Sequence, residues 1–72
     1  MTINSLIQAL QILEKYCIEP YPKYFRSRIS ADNDEINVKT DNDVSAEDQA
    51  RLLELGFEPN YHNEAHVWLC IL

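Results

Sequence analysis

Two histidines and a cysteine near the end of the 72-residue chain have a spacing that could hold a metal ion. His62, His66 and Cys70 are four residues apart, which on a helix would place three ligands on one face. The segment instead predicts a turn and a strand, where residues four apart are separated by about 13 Å. A zinc ion needs its ligands about 2 Å away. We therefore expect no metal and no cofactor here.

Acidic residues are concentrated between residues 32 and 48, where Lys39 is the single cation. The spacing from Asp41 onward resembles a calcium loop, but Ala46 and Leu52 stand where such a loop has its turn glycine and its bidentate glutamate. Turn and helix-capping chemistry accounts for these acids without a cation. They also form a candidate acidic surface. It comprises Asp32, Asp34, Glu35, Asp41, Asp43, Glu47 and Asp48.

A nucleophilic pair is conceivable between Cys17 or Cys70 and His62 or His66. Both cysteines fall on apolar stripes, where a buried thiol is usually inert. The sequence has no glycine-rich phosphate loop, nucleophile elbow or HExxH motif. A domain this small rarely encloses the cleft that a hydrolase needs. We predict that the chain is not an enzyme and has no small-molecule substrate.

The chain has one basic cluster, formed by Lys23, Arg26 and Arg28 with Tyr24 and Phe25 interleaved. Such a mixture can bind single-stranded nucleic acid on a sheet face. The net charge of −6, however, repels phosphates. The cluster therefore favours cross-strand charge pairing, and we expect no direct binding of nucleic acid. Basic proteins are the partners that this charge favours.

The elements that would position these side chains begin with an amphipathic helix. Its apolar residues recur at intervals of three and four, the repeat of one helix face. Thr2 or Asn4 can cap its start, and Pro20 and Pro22 end it because proline lacks an amide proton. The apolar stripe comprises Ile3, Leu6, Ile7, Leu10, Leu13 and Cys17.

A β-hairpin is predicted next, because the apolar period changes to two. The cluster Asp32-Asn33-Asp34 has the composition of a turn. The predicted register pairs Ser30 with Glu35. It places Ile29 opposite Ile36, so the apolar residues of both strands share one face.

A second helix is predicted from a cap at Ser45 to a stop at Gly56. Asp48, three residues after Ser45, resembles the acidic partner of a capping box. Gly56 supplies the left-handed residue that ends many helices. The residues that this helix is expected to bury are Leu52 and Leu53, with Ala50 as a further candidate.

Two further strands complete the predicted fold. Pro59 restricts a short strand over residues 57–61 to an edge, and residues 65–72 form the last strand. The order α-β-β-α-β-β predicts an α+β fold, an antiparallel sheet of three to four strands with two helices on one face. A chain of 72 residues has room for one domain with a thin core.

The last strand is apolar on both faces. With Val67, Leu69 and Ile71 turned toward the helices, the other face would carry an apolar patch centred on Trp68. Such a patch is typical of a binding or dimer surface. The alternative is that the strand lies centrally in the sheet and that residues 17–23 fold over it. The candidate interface comprises Tyr24, Arg26, Arg28, His66, Trp68, Cys70 and Leu72.

The N-terminal sequence lacks the basic and uninterrupted apolar regions of a signal peptide. No apolar run approaches the roughly 18 residues of a membrane span. Without an export signal, Cys17 and Cys70 are expected to be reduced thiols. We therefore predict a cytoplasmic protein that does not bind membranes.

Three segments share a pattern with a known group of proteins. They are D-E-I-N-V at residues 34–38, V-S-A-E-D at 44–48 followed by L-L-E-L-G-F at 52–57, and the strand with Trp68. The pattern resembles that of a group of small uncharacterised bacterial and phage-borne acidic proteins, over roughly residues 34 to 68. The resemblance implies a similar fold. It transfers no activity, because its motifs are a cap, a helix stop and core aromatics.

Two functional classes are consistent with these observations. The first is a small non-enzymatic protein-interaction module that binds another protein, or a second copy of itself as a homodimer, around Trp68. The second is an acidic inhibitor or nucleic-acid mimic from a mobile element, whose carboxylates block a nucleic-acid-binding protein. An enzymatic function would require an oligomer to build a cleft that one chain lacks.

Overall fold

A computed structural model describes residues 1–18, 28–60 and 66–71, apart from the side chain of Asp32. Its helices are α1 (Ile3–Glu14) and α2 (Ala46–Leu55), and its strands are β1 (Ile29–Asp32), β2 (Glu35–Lys39), β3 (Phe57–Pro59) and β4 (Val67–Ile71). The strands form an antiparallel sheet in the order β1-β2-β4-β3. The predicted α+β class and the element order are confirmed.

The β1–β2 hairpin is tighter than predicted. Asp32 is paired with Glu35 and Ile29 with Val38, so the predicted register is wrong by two residues. Asn33 makes the shorter turn possible because it adopts a left-handed φ of 54°, which asparagine tolerates better than most residues. A shift of two residues preserves the side-chain faces, and the predicted apolar faces are therefore correct.

Local capping chemistry sets the bounds of both helices. The side chain of Thr2 accepts a hydrogen bond from the amide of Ser5, and that of Ser45 accepts one from the amide of Asp48. Gly56 ends α2 with a left-handed φ of 106°. The predicted cap at Ser45 and the predicted stop at Gly56 are confirmed, and Thr2 is the cap of α1.

The buried sides of the helices differ from the predicted stripes. Ala9 and Leu13 are the buried residues of α1, whereas Ile3 and Ile7 are 79% and 50% exposed. Leu6, Leu10 and Leu13 of the predicted stripe do lie in the core or pack against it, and α1 also contacts α2. In α2, Leu52 is buried, but the predicted burial of Leu53 and Ala50 is wrong, since both are exposed.

The orientation predicted for β4 is reversed. Trp68 lies opposite Val38 and Pro59, and Cys70 lies opposite Ile36 and Phe57. Directly opposed residues of an antiparallel pair share a face, and this face packs against both helices. The shared core comprises Ala9, Leu13, Val38, Val44, Leu52, Leu55, Phe57, Trp68 and Cys70. Val67, Leu69 and Ile71 therefore occupy the outer face of the sheet.

Within the described ranges, neither helix has the length and apolar character that crossing a membrane requires.

Candidate functional site

The predicted interface around Trp68 does not form an exposed patch. Trp68 and Cys70 are 5% and 1% exposed, because the helices cover the face that was predicted to be open. His66 is half-buried, and Arg28 extends toward the end of α1. The remaining members of the candidate interface, Tyr24, Arg26 and Leu72, lie outside the described residues.

Arg28 and Asp41 form an ion pair that joins three parts of the fold. The guanidinium lies 2.7 Å from Asp41 Oδ2, and the Arg28 side chain is 8% exposed. Arg28 also donates to the carbonyls of Lys39 and Ile18, while the amide of Ile18 donates to Asp41 Oδ2 at 2.5 Å. The pair thus ties the segment after α1 to the ends of β1 and β2, which gives Asp41 a structural role.

A second network joins the two helices at the start of α2. Lys15 Nζ lies 2.8 Å from Asp48 Oδ2, and the Tyr16 hydroxyl donates to the same carboxylate. That hydroxyl lies 3.1 Å from Ser45 Oγ, which caps α2. Lysine, tyrosine and serine together could suggest proton-transfer chemistry. Their hydrogen bonds are instead directed to the helix cap and its aspartate, so this arrangement anchors α1 to α2.

The other described members of the predicted acidic surface fall into two groups, and the side chain of Asp32 lies outside the described part of the chain. Asp43 Oδ1 lies 2.5 Å from His66 Nε2, which links the β2–α2 connection to the start of β4. In the part of the chain that the structure describes, Asp34, Glu35 and Glu47 contact no cation. Three of the seven members, Asp41, Asp43 and Asp48, thus have a side-chain partner elsewhere in the fold.

Stability is expected to fall in acid through Asp41 and Asp48. The Ile18 amide, and then Arg28, lower the pKa of Asp41, while Lys15 and Tyr16 lower that of Asp48. A carboxyl group with a lowered folded pKa stabilises the fold above its unfolded pKa of about 3.9 and loses that contribution as the pH falls toward the folded value. Melting temperatures measured between neutral pH and pH ~2 should therefore decline most steeply below pH ~4.

Two asparagine variants test this assignment. Asp41→Asn should lower the melting temperature at neutral pH and flatten its decline in acid, because the Arg28 ion pair is lost. Asp34→Asn is the matched control, since Asp34 is exposed and has no partner among the described side chains. Equal acid profiles for the wild type and Asp41→Asn would refute the structural role of Asp41.

The described residues form a groove along the edge of β3 that pairs with no described strand, which we call its open edge. Leu53, which is 57% exposed, projects from α2 on one side, and Trp68 lies beneath it in the core. The groove has a volume of about 430 Å³, enough for one or two inserted side chains. Its lining comprises Gln49, Leu53, Glu58, Pro59, Asn60, Trp68 and Leu69. We call this feature the β3 groove.

The sequence does not predict the β3 groove, but it indicates two of its parts. The sequence predicts Trp68 as a binding residue and Pro59 as the mark of an edge strand, and both line the groove. Leu53 was predicted to be core. The sequence does contain a signal that one of the leucines of this helix is exposed. Leu52, Leu53 and Leu55 together span more of the helix circumference than a narrow buried side covers.

Cysteine and metal chemistry have little support in the described structure. Burial raises the pKa of Cys70, which disfavours a reactive thiolate, and its sulfur lies 3.3 Å from Met1 Sδ. Cys17 and Cys70, both within the described residues, form no disulfide. Among residues 1–18, 28–60 and 66–71, no three histidine, cysteine or acidic side chains are grouped as metal ligands. The predicted histidine partner His62 lies outside these ranges.

Comparison with known proteins gives no further assignment. No protein-family model, curated protein sequence or solved structure matches this chain.

Proposed function

We propose that this chain is a non-enzymatic protein-binding module whose contact site is the β3 groove. The observation that carries the proposal is an exposed leucine, Leu53, on the wall of a concave surface at an open sheet edge. Concave sites let an inserted side chain lose most of its contact with water. Burying one leucine-sized group contributes about 1.5–3 kcal/mol.

The floor of the β3 groove supports binding because it belongs to the rigid core. Trp68 is paired with Val38 in the centre of the sheet and packs with α2 residues in the same cluster. Such a floor needs little rearrangement when a partner binds, which lowers the entropic cost of association. Binding sites built on a fixed core also orient a partner more reproducibly than loops do.

Capture of partners from cells that contain this protein tests the proposal. Leu53→Asp places a charge on the groove wall and should abolish capture of a specific protein. Ile7→Asp is the matched control, because Ile7 is a similarly exposed apolar residue on α1, outside the groove. Equal capture by the wild type and both variants would reject the β3 groove as the contact site.

The acidic inhibitor is the second candidate, and it is favoured by the carboxylates of Asp34, Glu35 and Glu47, which contact no cation among the described residues. This function would place a basic groove of a nucleic-acid-binding protein against them. Capture would then be lost when these three acids are neutralised and would survive Leu53→Asp. Binding that is insensitive to salt would rule this candidate out.

A further inference from the structure

We infer that the β3 groove accepts a cationic segment of a partner protein, with an arginine or lysine next to an apolar residue. This inference rests on the proposed function and specifies the chemistry of its partner. It follows from three properties of the groove: the backbone atoms at its edge, the charge of its lining, and the shape of its apolar walls.

The open edge of β3 offers more hydrogen-bond acceptors than donors. The amide of Asn60 donates to the carbonyl of Val67 at 2.8 Å, which makes Asn60–Val67 a hydrogen-bonded pair. Pairing alternates along an antiparallel ladder, so the backbone groups of Phe57 and Pro59 point toward the open edge. Both residues present a carbonyl there, but proline has no N–H to donate. An arriving group that donates hydrogen bonds therefore fits this edge better than an extended strand does.

The side chains of the lining reinforce this preference. Glu58 is exposed and contacts no cation within the described structure. The two lining amides donate to the protein itself, Gln49 Nε2 to the carbonyl of Val44 at 2.8 Å and Asn60 Nδ2 to Asn37 Oδ1 at 2.9 Å. Among the described residues that line the groove, Glu58 is therefore the only charged one. It lies opposite Leu69, on the outer face of the sheet, and its carboxylate favours a cation.

The apolar walls suit the stem of the same side chain. Leu53 and Pro59 flank the groove and Trp68 lies at its base. Arginine and lysine bury their aliphatic stems against such surfaces while the charged end stays near polar groups. Elsewhere in the described chain, Lys15, Arg28 and Arg51 each have a carboxylate partner. The net charge of −6 adds a long-range attraction for a basic partner.

Peptide titration tests the inference directly. The probe is a short capped peptide that alternates arginine and leucine, compared with the same peptide carrying glutamate in place of arginine. Trp68 is the only tryptophan of the chain, so its fluorescence reports occupancy of the groove. We expect a saturable change with the arginine peptide and none with the glutamate peptide.

Matched variants separate groove binding from general attraction to an acidic surface. Glu58→Gln and Glu47→Gln remove the same charge, but Glu58 lines the groove and Glu47 does not. Glu58→Gln should weaken binding by about 2- to 5-fold, the usual strength of an exposed ion pair. Leu53→Ala should weaken it by about 5-fold or more. Glu47→Gln and Ile7→Ala should leave the affinity within experimental error.

Four results would overturn the inference. Equal weakening by Glu58→Gln and Glu47→Gln would show attraction by overall charge, and preference for the glutamate peptide would reverse the expected partner. A dimer in sedimentation of the protein alone, lost in Leu53→Asp, would assign the groove to a second copy. If cellular capture still depends on Leu53 while the arginine peptide fails to bind, the inference on charge falls and the binding function stands.

Discussion

Trp68→Ala is expected to remove about half of the free energy of unfolding of this protein. Trp68 is 5% exposed and belongs to the core cluster formed by both helices and the sheet. Replacing a buried tryptophan with alanine costs about 3–5 kcal/mol. A 72-residue domain has a total stability of about 4–11 kcal/mol on a per-residue scale. The loss is therefore a large fraction of the whole.

Far-ultraviolet circular dichroism during heating is the measurement, since the variant lacks the fluorescent residue. The melting temperature should fall by more than about 10 °C, given that each kcal/mol shifts a domain of this size by about 4–8 °C. Trp68→Phe is the control, because it keeps an aromatic ring in the core and should lose less stability. Retention of the wild-type melting temperature by Trp68→Ala would mean that Trp68 is not a core residue.

The alternation of side chains along β4 cannot decide which face of the strand packs against the helices. Val67, Leu69 and Ile71 alternate with Trp68 and Cys70, so both faces of the strand are apolar and neither pattern excludes the other. Which face is buried depends on how β4 pairs with β2 and β3. This pairing cannot be deduced from the sequence, because the paired residues are distant along the chain. The structure places the larger aromatic side chain in the core, where it buries more area.

Local signals were the most predictable part of the fold. Ser45 and Gly56 act on residues within one helical turn, so their chemistry could be recognised without any knowledge of the sheet. The hairpin turn was also local, but its register was not determined by composition. Asn33 and Asp34 suffice for a two-residue turn, and the wider turn predicted from the same cluster would have preserved the same faces.

The roles of the acidic residues could not be predicted because their partners are distant in sequence. Asp41 is paired with Arg28 and Asp48 with Lys15, across separations that no spacing rule reveals. From the sequence, these acids formed one continuous surface with Asp34. The structure divides them, since Asp41 and Asp48 stabilise contacts between elements, whereas Asp34 contacts no cation among the described residues.

Prediction of the β3 groove would require knowledge of the full sheet topology. Leu53 comes from α2, Glu58 from β3 and Trp68 from β4, and β4 lies between β2 and β3 in the sheet. This order leaves β3 at an edge beside α2. Pro59 indicated the edge strand in advance, but no sequence pattern placed an exposed leucine next to it.

The adjacent residues Leu52 and Leu53 provide the sharpest test of this arrangement. Leu52 is 0% exposed and Leu53 is 57% exposed, although the sequence predicted that both are buried. Leu52→Ala is expected to cost about 2–5 kcal/mol, because it leaves a cavity in the core. Leu53→Ala should change the free energy of unfolding by less than about 0.5 kcal/mol, as exposed substitutions usually do. Urea denaturation followed by Trp68 fluorescence measures both values.

The pair is informative because the chemical change and the helix are the same for both variants. Intrinsic helix propensity therefore cancels, and the difference in unfolding free energy reports burial alone. Equal destabilisation by the two variants would mean that Leu53 is packed in the core, and the β3 groove would then lack its apolar wall. A stable Leu53→Ala that also loses affinity for the arginine peptide would separate binding from folding. Unchanged stability together with lost affinity is expected of an exposed residue whose apolar surface contacts a partner.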